Sequence, residues 1–318
     1  MTFPRSNLFI AIDGLSRSFV RGDELILGKI ARQWHGGLSA WYCTMPKGPF
    51  ETTPSMRLTL YFIFGGLGCG CIIAAYALSL AGGISRGDLI LTNLTGGAVL
   101  AIGLGWVWAP IGSRLRHTGI FLRPTPSWTT YETYTAVAFF LALATLAKVP
   151  APAIELLVVL GAAAFMLCQA NVARSSKSRP AWRTAEIPSL IVIMGLASGV
   201  GLIALLSALA PPIIRAGTLA PIAGMTLAAM GAYRWKEYER NAESALQGEI
   251  AALSPTVYFF AYALPFACYL AALFLGPGTS WILPGAGVSA IVGGAIWTHV
   301  LIARLGHPRD FTASPVGL

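Results

Sequence analysis

Residues 187–210 read IPSLIVIMGLASGVGLIALLSALA, an apolar run without one charged side chain. Coiled as a helix rising about 1.5 Å per residue, such a run can cross the roughly 30 Å of hydrocarbon in a bilayer. The run belongs to a stretch at about 186–210, and seven more stretches of this kind lie at about 58–82, 89–113, 130–148, 152–173, 213–234, 256–275 and 281–303. The links at Ile84–Asp88, Lys148–Ala151, Pro211–Pro212 and Gly276–Ser280 are tight turns that join antiparallel neighbours. The chain therefore reads as an all-α membrane protein, a bundle of about eight transmembrane helices. The third-to-fourth and fifth-to-sixth divisions rest on prolines, so six or seven spans are the alternatives.

Composition agrees. Hydrophobic residues make up 55% of the 318-residue chain and charged residues 11%, against about 25% charged in a soluble domain. Mean hydropathy is +0.67. The formal charge of +9 does not point to nucleic acid, because the basic residues fall between the apolar runs rather than on one module with exposed aromatics. Their placement reports topology instead. With eight spans, nineteen Lys and Arg share the side of the N-terminal tail, the even loops and the C-terminal tail, and only Arg86, Lys148 and Arg215 lie opposite. Basic loops stay inside, so both termini are expected in the cytoplasm of a multi-pass bacterial inner-membrane protein, with lipid around it.

Three segments follow: a tail over 1–56, a transmembrane helical domain over 57–305 and a short tail over 306–318. The first tail has no apolar core long enough for a cleavable signal. Trp34, Trp41 and Tyr42 beside Arg21, Lys29 and Arg32 suit a docking arm, or else sequence upstream of a true start at Met45 or Met56. Within the spans, Gly66 with Gly70 and Gly195 with Gly199 are spaced four apart, as close helix contact in lipid requires. Trp106, Trp108, Trp128, Trp182, Trp235 and Trp281 fall near span ends, where an aromatic belt would place them. Cys69 and Cys71, two apart on a helix, point to different faces and read as packing residues.

A self-contained catalytic centre is not expected. Walker, H-E-x-x-H, G-x-S-x-G and paired D-x-x-D patterns are missing from the sequence. Of His35, His117, His299 and His307 only His299 falls in a span, so bis-histidine haem and a resident metal are both disfavoured. The informative stretch is Arg114-Leu115-Arg116-His117-Thr118-Gly119, then Ser127-Trp128-Thr129-Thr130-Tyr131-Glu132. It brings an imidazole, guanidinium groups, an indole and a carboxylate to one membrane surface, which is equipment for binding a quinone headgroup and moving its protons. A solvated basic loop ending in a helix-start carboxylate is the plainer alternative. Gln169, Asn171 and Arg174, at the end of the fourth span, reach the same face.

These residues resemble the membrane-anchor subunits of dimethyl-sulfoxide-reductase-type molybdoenzymes, related to the polysulfide-reductase anchors. That family has an H-L-G-x-P loop followed by S-W-L-S-R-E, and His117-Thr118-Gly119 and Ser127-Trp128 through Glu132 take those places. Pro180-Ala181-Trp182, Met194 through Gly199, Pro54-Ser55 and Tyr233-x-Trp235 extend the likeness over about 54 to 305. Thr118 replaces the family's Leu, Tyr131 its Arg, and the loop is about half a dozen residues shorter. The resemblance implies a non-catalytic anchor that exchanges electrons between ubiquinone or menaquinone and an iron–sulfur subunit, beside a molybdopterin catalytic subunit. It implies a quinone site at Arg116, His117, Ser127, Trp128 and Glu132. With the basic side inside, a cytoplasm-facing, sulfite-dehydrogenase-like complex is favoured. A small-molecule transporter, or an assembly or structural protein of the same fold, is the rival reading.

The charge bias makes a direct prediction. Reporter fusions at Leu318 and near Ser176 should both read as cytoplasmic; a periplasmic signal at either reverses the topology and moves the partners to the other side.

Overall fold

The computed structural model describes residues 54–108, 127–176, 179–209, 218–275 and 281–306. Of these, 90% are helical and none is in a strand. Eight helices follow in order: α1 Pro54–Leu80, α2 Arg86–Trp108, α3 Trp128–Lys148, α4 Pro152–Arg174, α5 Ile187–Leu209, α6 Leu219–Asn241, α7 Ser244–Leu275 and α8 Ile282–Arg304. Six are long and apolar enough to cross a membrane. The two that fall short are α3, whose first two turns carry Thr129, Thr130, Glu132 and Thr133, and α6, whose last two carry Arg234, Lys236, Glu237, Glu239 and Arg240.

Helix ends follow local chemistry. Gly82 adopts φ +74, and the amide of Gly83 donates to the carbonyl of Leu78, which closes α1 as a left-handed glycine cap does. Ser127 opens α3 by accepting from the amide of Thr130, while the Thr130 hydroxyl accepts from the amide of Ser127. α4 opens with Pro152, whose missing N–H costs nothing in a first turn. α7 is broken by a π turn at Tyr258–Ala263, bracketed by Pro255 and Pro265; α8 ends in another at Val300–Arg304.

Glycine sets the packing. A Cβ on Gly66 would stand 3.2 Å from the Cα of Gly195, and one on Gly70 or Gly199 would collide with the backbone of the opposite helix. The two glycine pairs read from sequence therefore pack on each other, α1 against α5. On its far side α5 meets α8 the same way, with a Cβ on Gly201 falling 2.7 Å from the carbonyl oxygen of Gly287. Lipid offers no hydrophobic drive between helices, so this backbone approach has to supply the attraction. Cys69 and Cys71 are both fully buried but belong to different core clusters, as their spacing requires.

The structure departs from the sequence in two places. Apolar length puts the sixth connection between about 234 and 256, yet α6 runs on to Asn241 and α7 begins at Ser244. The reason is amphipathic: Trp235, Tyr238, Leu246, Ile250 and Ser254 are buried at helical spacing while the charges point away. α7, at 32 residues, is thus about 48 Å long and outreaches a hydrocarbon layer. The aromatic belt also splits. Trp106, Trp128 and Trp281 are exposed, but Trp182 and Trp235 are buried, with indole N–H groups donating to the Leu301 carbonyl and the Ser254 hydroxyl, each at 3.0 Å. Trp182 ties one end of the bundle together: Arg179 lies 4.1 Å over its ring, and Tyr238 donates to the adjacent Ala181 carbonyl at 3.1 Å.

The seam is testable. Gly199→Ala should cost about 1–3 kcal/mol, because the new methyl meets backbone that cannot turn aside. Gly105→Ala, which meets nothing within 4 Å, should be tolerated. Thermal unfolding in detergent checks both; equal stability of the two variants would remove the seam from the account.

Candidate functional site

The buried face of α3 is Glu132, Ala136, Phe139, Leu143 and Leu146, spaced by fours and threes. Glu132 thus stands in line with the hydrophobic seam, not on the outer face. It is 8% exposed, and its Oε1 has no hydrogen-bond partner among the described residues. The buried residues of α4 include Glu155, Val158, Ala162, Phe165, Gln169 and Ala173. α3 and α4 run antiparallel with Phe139 against Gly161, which brings the start of α3 level with the end of α4.

Two carboxylates therefore mark the opposite ends of one seam, in different circumstances. Glu155, at the start of α4, accepts from Arg86 Nε at 2.8 Å, and Arg86 also donates to the Pro150 carbonyl at 3.1 Å. That pair fastens the start of α2 to the turn between α3 and α4, and its role is structural. Glu132 has no such cation among the described residues. A buried carboxyl oxygen without a partner is costly, and such groups concentrate where protons or ligands are handled.

At about the level of Glu132, α4 carries a second buried polar group. Gln169 is fully buried; its Nε2 donates to the Tyr61 carbonyl on α1 at 3.2 Å, and its Oε1 has no partner among the described residues. The amide lies on Gly65, where even a methyl group would strike it. The Tyr61 hydroxyl is likewise buried without a partner among the described residues. Cys168, next to Gln169, faces both Thr135 and Glu132 of α3. The start of α3, the end of α4 and the first turns of α1 thus carry a cluster of buried polar groups at one level of the fold.

Of the residues read from sequence, Ser127, Trp128 and Glu132 lie within the first turns of α3. Ser127 is a helix cap. Trp128 is 44% exposed, one turn before Glu132 on the same side, with its ring 6.0 Å from that of Tyr131. Arg116 and His117 lie outside the described residues. Among the three α4 candidates, only Gln169 enters the cluster: Asn171 donates back to the Leu167 carbonyl at 2.8 Å and Arg174 is exposed. Tyr61 carried no signal in the sequence, since its partner is 108 positions away. Among the described residues no three His, Cys, Asp or Glu side chains come together as a metal site would need.

The contrast between the carboxylates predicts opposite responses. Glu155→Gln should destabilise the chain by about 1 kcal/mol, a modest figure because Arg86 is 52% exposed and the pair is partly screened. Glu132→Gln keeps the shape and removes a buried carboxyl that no cation among the described residues compensates, so thermal unfolding should show no loss or a gain. Equal losses would mean that Glu132 is also an anchoring ion. No family model matches this chain, and no curated protein matches it.

Proposed function

We propose that this chain is the integral-membrane anchor of a molybdopterin oxidoreductase complex in a bacterial inner membrane, and that it exchanges electrons between the quinone pool and an iron–sulfur subunit. The observation that carries the reading is Glu132, a buried carboxylate without a cation among the described residues, at about the level of the fully buried Gln169. The motif resemblance around His117 and Glu132 reached the same end of α3 from a different direction.

In this reading all eight helices span the membrane and both termini are cytoplasmic. α3 and α6 cross despite their polar ends, because those ends reach the interfacial region where charge is tolerated. The polar cluster then lies toward the basic, cytoplasmic surface. Reduction of quinone takes two electrons and two protons, and oxidation of quinol releases them. The electrons pass to or from the nearest iron–sulfur cluster of the partner subunit, while Glu132 passes a proton between the headgroup oxygen and water. His117 and Arg116 serve the second oxygen and the local charge, and Trp128 covers the ring. The soluble partners are an iron–sulfur protein and a molybdopterin subunit on the cytoplasmic side, in a sulfite-dehydrogenase-like arrangement.

Replacing Glu132 by Gln removes the titrating group and should slow quinone-coupled turnover at least about tenfold, as general acid–base groups typically contribute 10²–10⁴-fold. Artificial-dye activity of the soluble subunits and assembly of the complex should be unchanged. Wild-type quinone turnover in this variant would contradict the assignment. Failure of the purified wild-type chain to bind any quinone would favour a transporter or a structural role.

A further inference from the structure

We propose that the outer face of α6 binds an anionic phospholipid, with Lys236 and Arg240 holding its phosphate and the apolar stripe before them lying along its acyl chains. Such a site needs no quinone and no partner subunit, only that α6 crosses the membrane. α6 buries Gly224, Ala228, Gly231, Trp235 and Tyr238 and turns another side outward. On that side Ile222, Thr226, Met230, Tyr233, Lys236 and Arg240 follow one another at intervals of three and four, and all six are exposed. The Thr226 hydroxyl donates back to the Ile222 carbonyl at 2.8 Å, so its polar atom is satisfied within the helix. From Ile222 to Tyr233 the helix rises about 16 Å, close to the roughly 15 Å of hydrocarbon in one leaflet. Lys236 and Arg240 lie about 5 and 10 Å further along, at headgroup depth.

The charges on this face call for an anion. Lys236 and Arg240 make no ion pair among the described residues. The neighbouring carboxylates are engaged elsewhere: Glu237 accepts from Arg234 and the Tyr233 hydroxyl, and Glu239 accepts from the Tyr258 hydroxyl of α7 at 2.9 Å. No other described helix ends in two exposed basic residues without ion pairs; α3, α4 and α8 have one each, at Lys148, Arg174 and Arg304. Like charges four apart on a helix repel, so an anion between them removes a cost as well as adding an attraction. Long basic side chains also lay their stems along apolar surface while the charged heads reach the phosphate. An acidic protein surface would use the two charges but not the leaflet-deep stripe beneath them. A zwitterionic headgroup brings its own cation, which competes for the phosphate, so net negative lipid is preferred. Each basic side chain beside anionic lipid contributes roughly fivefold in binding.

The test uses the full-length chain in phosphatidylcholine nanodiscs doped with a trace of phosphatidylglycerol or phosphatidylcholine that bears a photoreactive acyl chain. After illumination, peptide mapping reads the label on the segment that contains Met230 and Tyr233. In the wild type this segment should take at least about fivefold more label from the anionic probe. Lys236→Gln with Arg240→Gln should bring the ratio toward one, whereas Lys236→Arg with Arg240→Lys, which keeps both charges, should preserve it. Arg174→Gln with Arg304→Gln removes the same charge from other helix ends and should leave the ratio unchanged. Equal labelling by the two probes in the wild type would overturn the proposal and leave the pair to an acidic protein surface. An unchanged ratio in the Lys236 and Arg240 glutamine variant, or an equal loss in the Arg174 and Arg304 variant, would overturn it as well. None of these results bears on whether the chain binds quinone, which the Glu132 variant tests separately.

Discussion

The contact on which the rest of the molecule depends contains no side chains: it is the meeting of α1 and α5 at Gly66, Gly70, Gly195 and Gly199. Because backbone touches backbone, α1 is drawn inside and becomes the most buried of the six apolar spans, at 72%. Its other glycines then receive the remaining neighbours. Gly68 accommodates the Gly96 carbonyl of α2, and Gly65 accommodates the Gln169 amide of α4. The glycine content of one helix thus fixes the bundle and also leaves the space in which a polar side chain is held. Dispersion at short range does here what hydrophobic burial does in water.

The sequence was most readable where one rule acts alone. Apolar length placed the six helices that are long and apolar enough to cross a membrane, since a run such as 187–210 has no stable home but lipid or a core. The same rule failed at residues 235–255, where the helices continue through charged positions because Trp235, Tyr238, Leu246 and Ile250 bury one face. Length in hydrophobic residues marks where a helix meets hydrocarbon, not where it ends. Trp182 and Trp235 went to the core for a related reason: each indole N–H found an acceptor on a distant element, which no local window contains.

The site divides along the same line. Glu132 could be singled out from sequence because a carboxylate at the start of an apolar helix is expensive wherever it points. Its burial could not, since that depends on the register of α3 against α4, set by Phe139 on Gly161. Gln169 was one candidate among three on the fourth helix, and only the seat on Gly65 and the bond to Tyr61 distinguish it from Asn171. Glu155 looks similar in sequence yet has the opposite character, because Arg86 reaches it across the bundle.

The central claim is that the polar cluster joining α1, α3 and α4 holds the quinone headgroup. Photolabelling of the purified chain with an azido-quinone, followed by peptide mapping, tests this most directly. The account predicts label concentrated on peptides containing Glu132 and Gln169, suppressed by excess unlabelled quinone. Competable label confined to the cleft between α1, α5 and α8, which is lined by Phe62, Ser198 and Trp297, would contradict it.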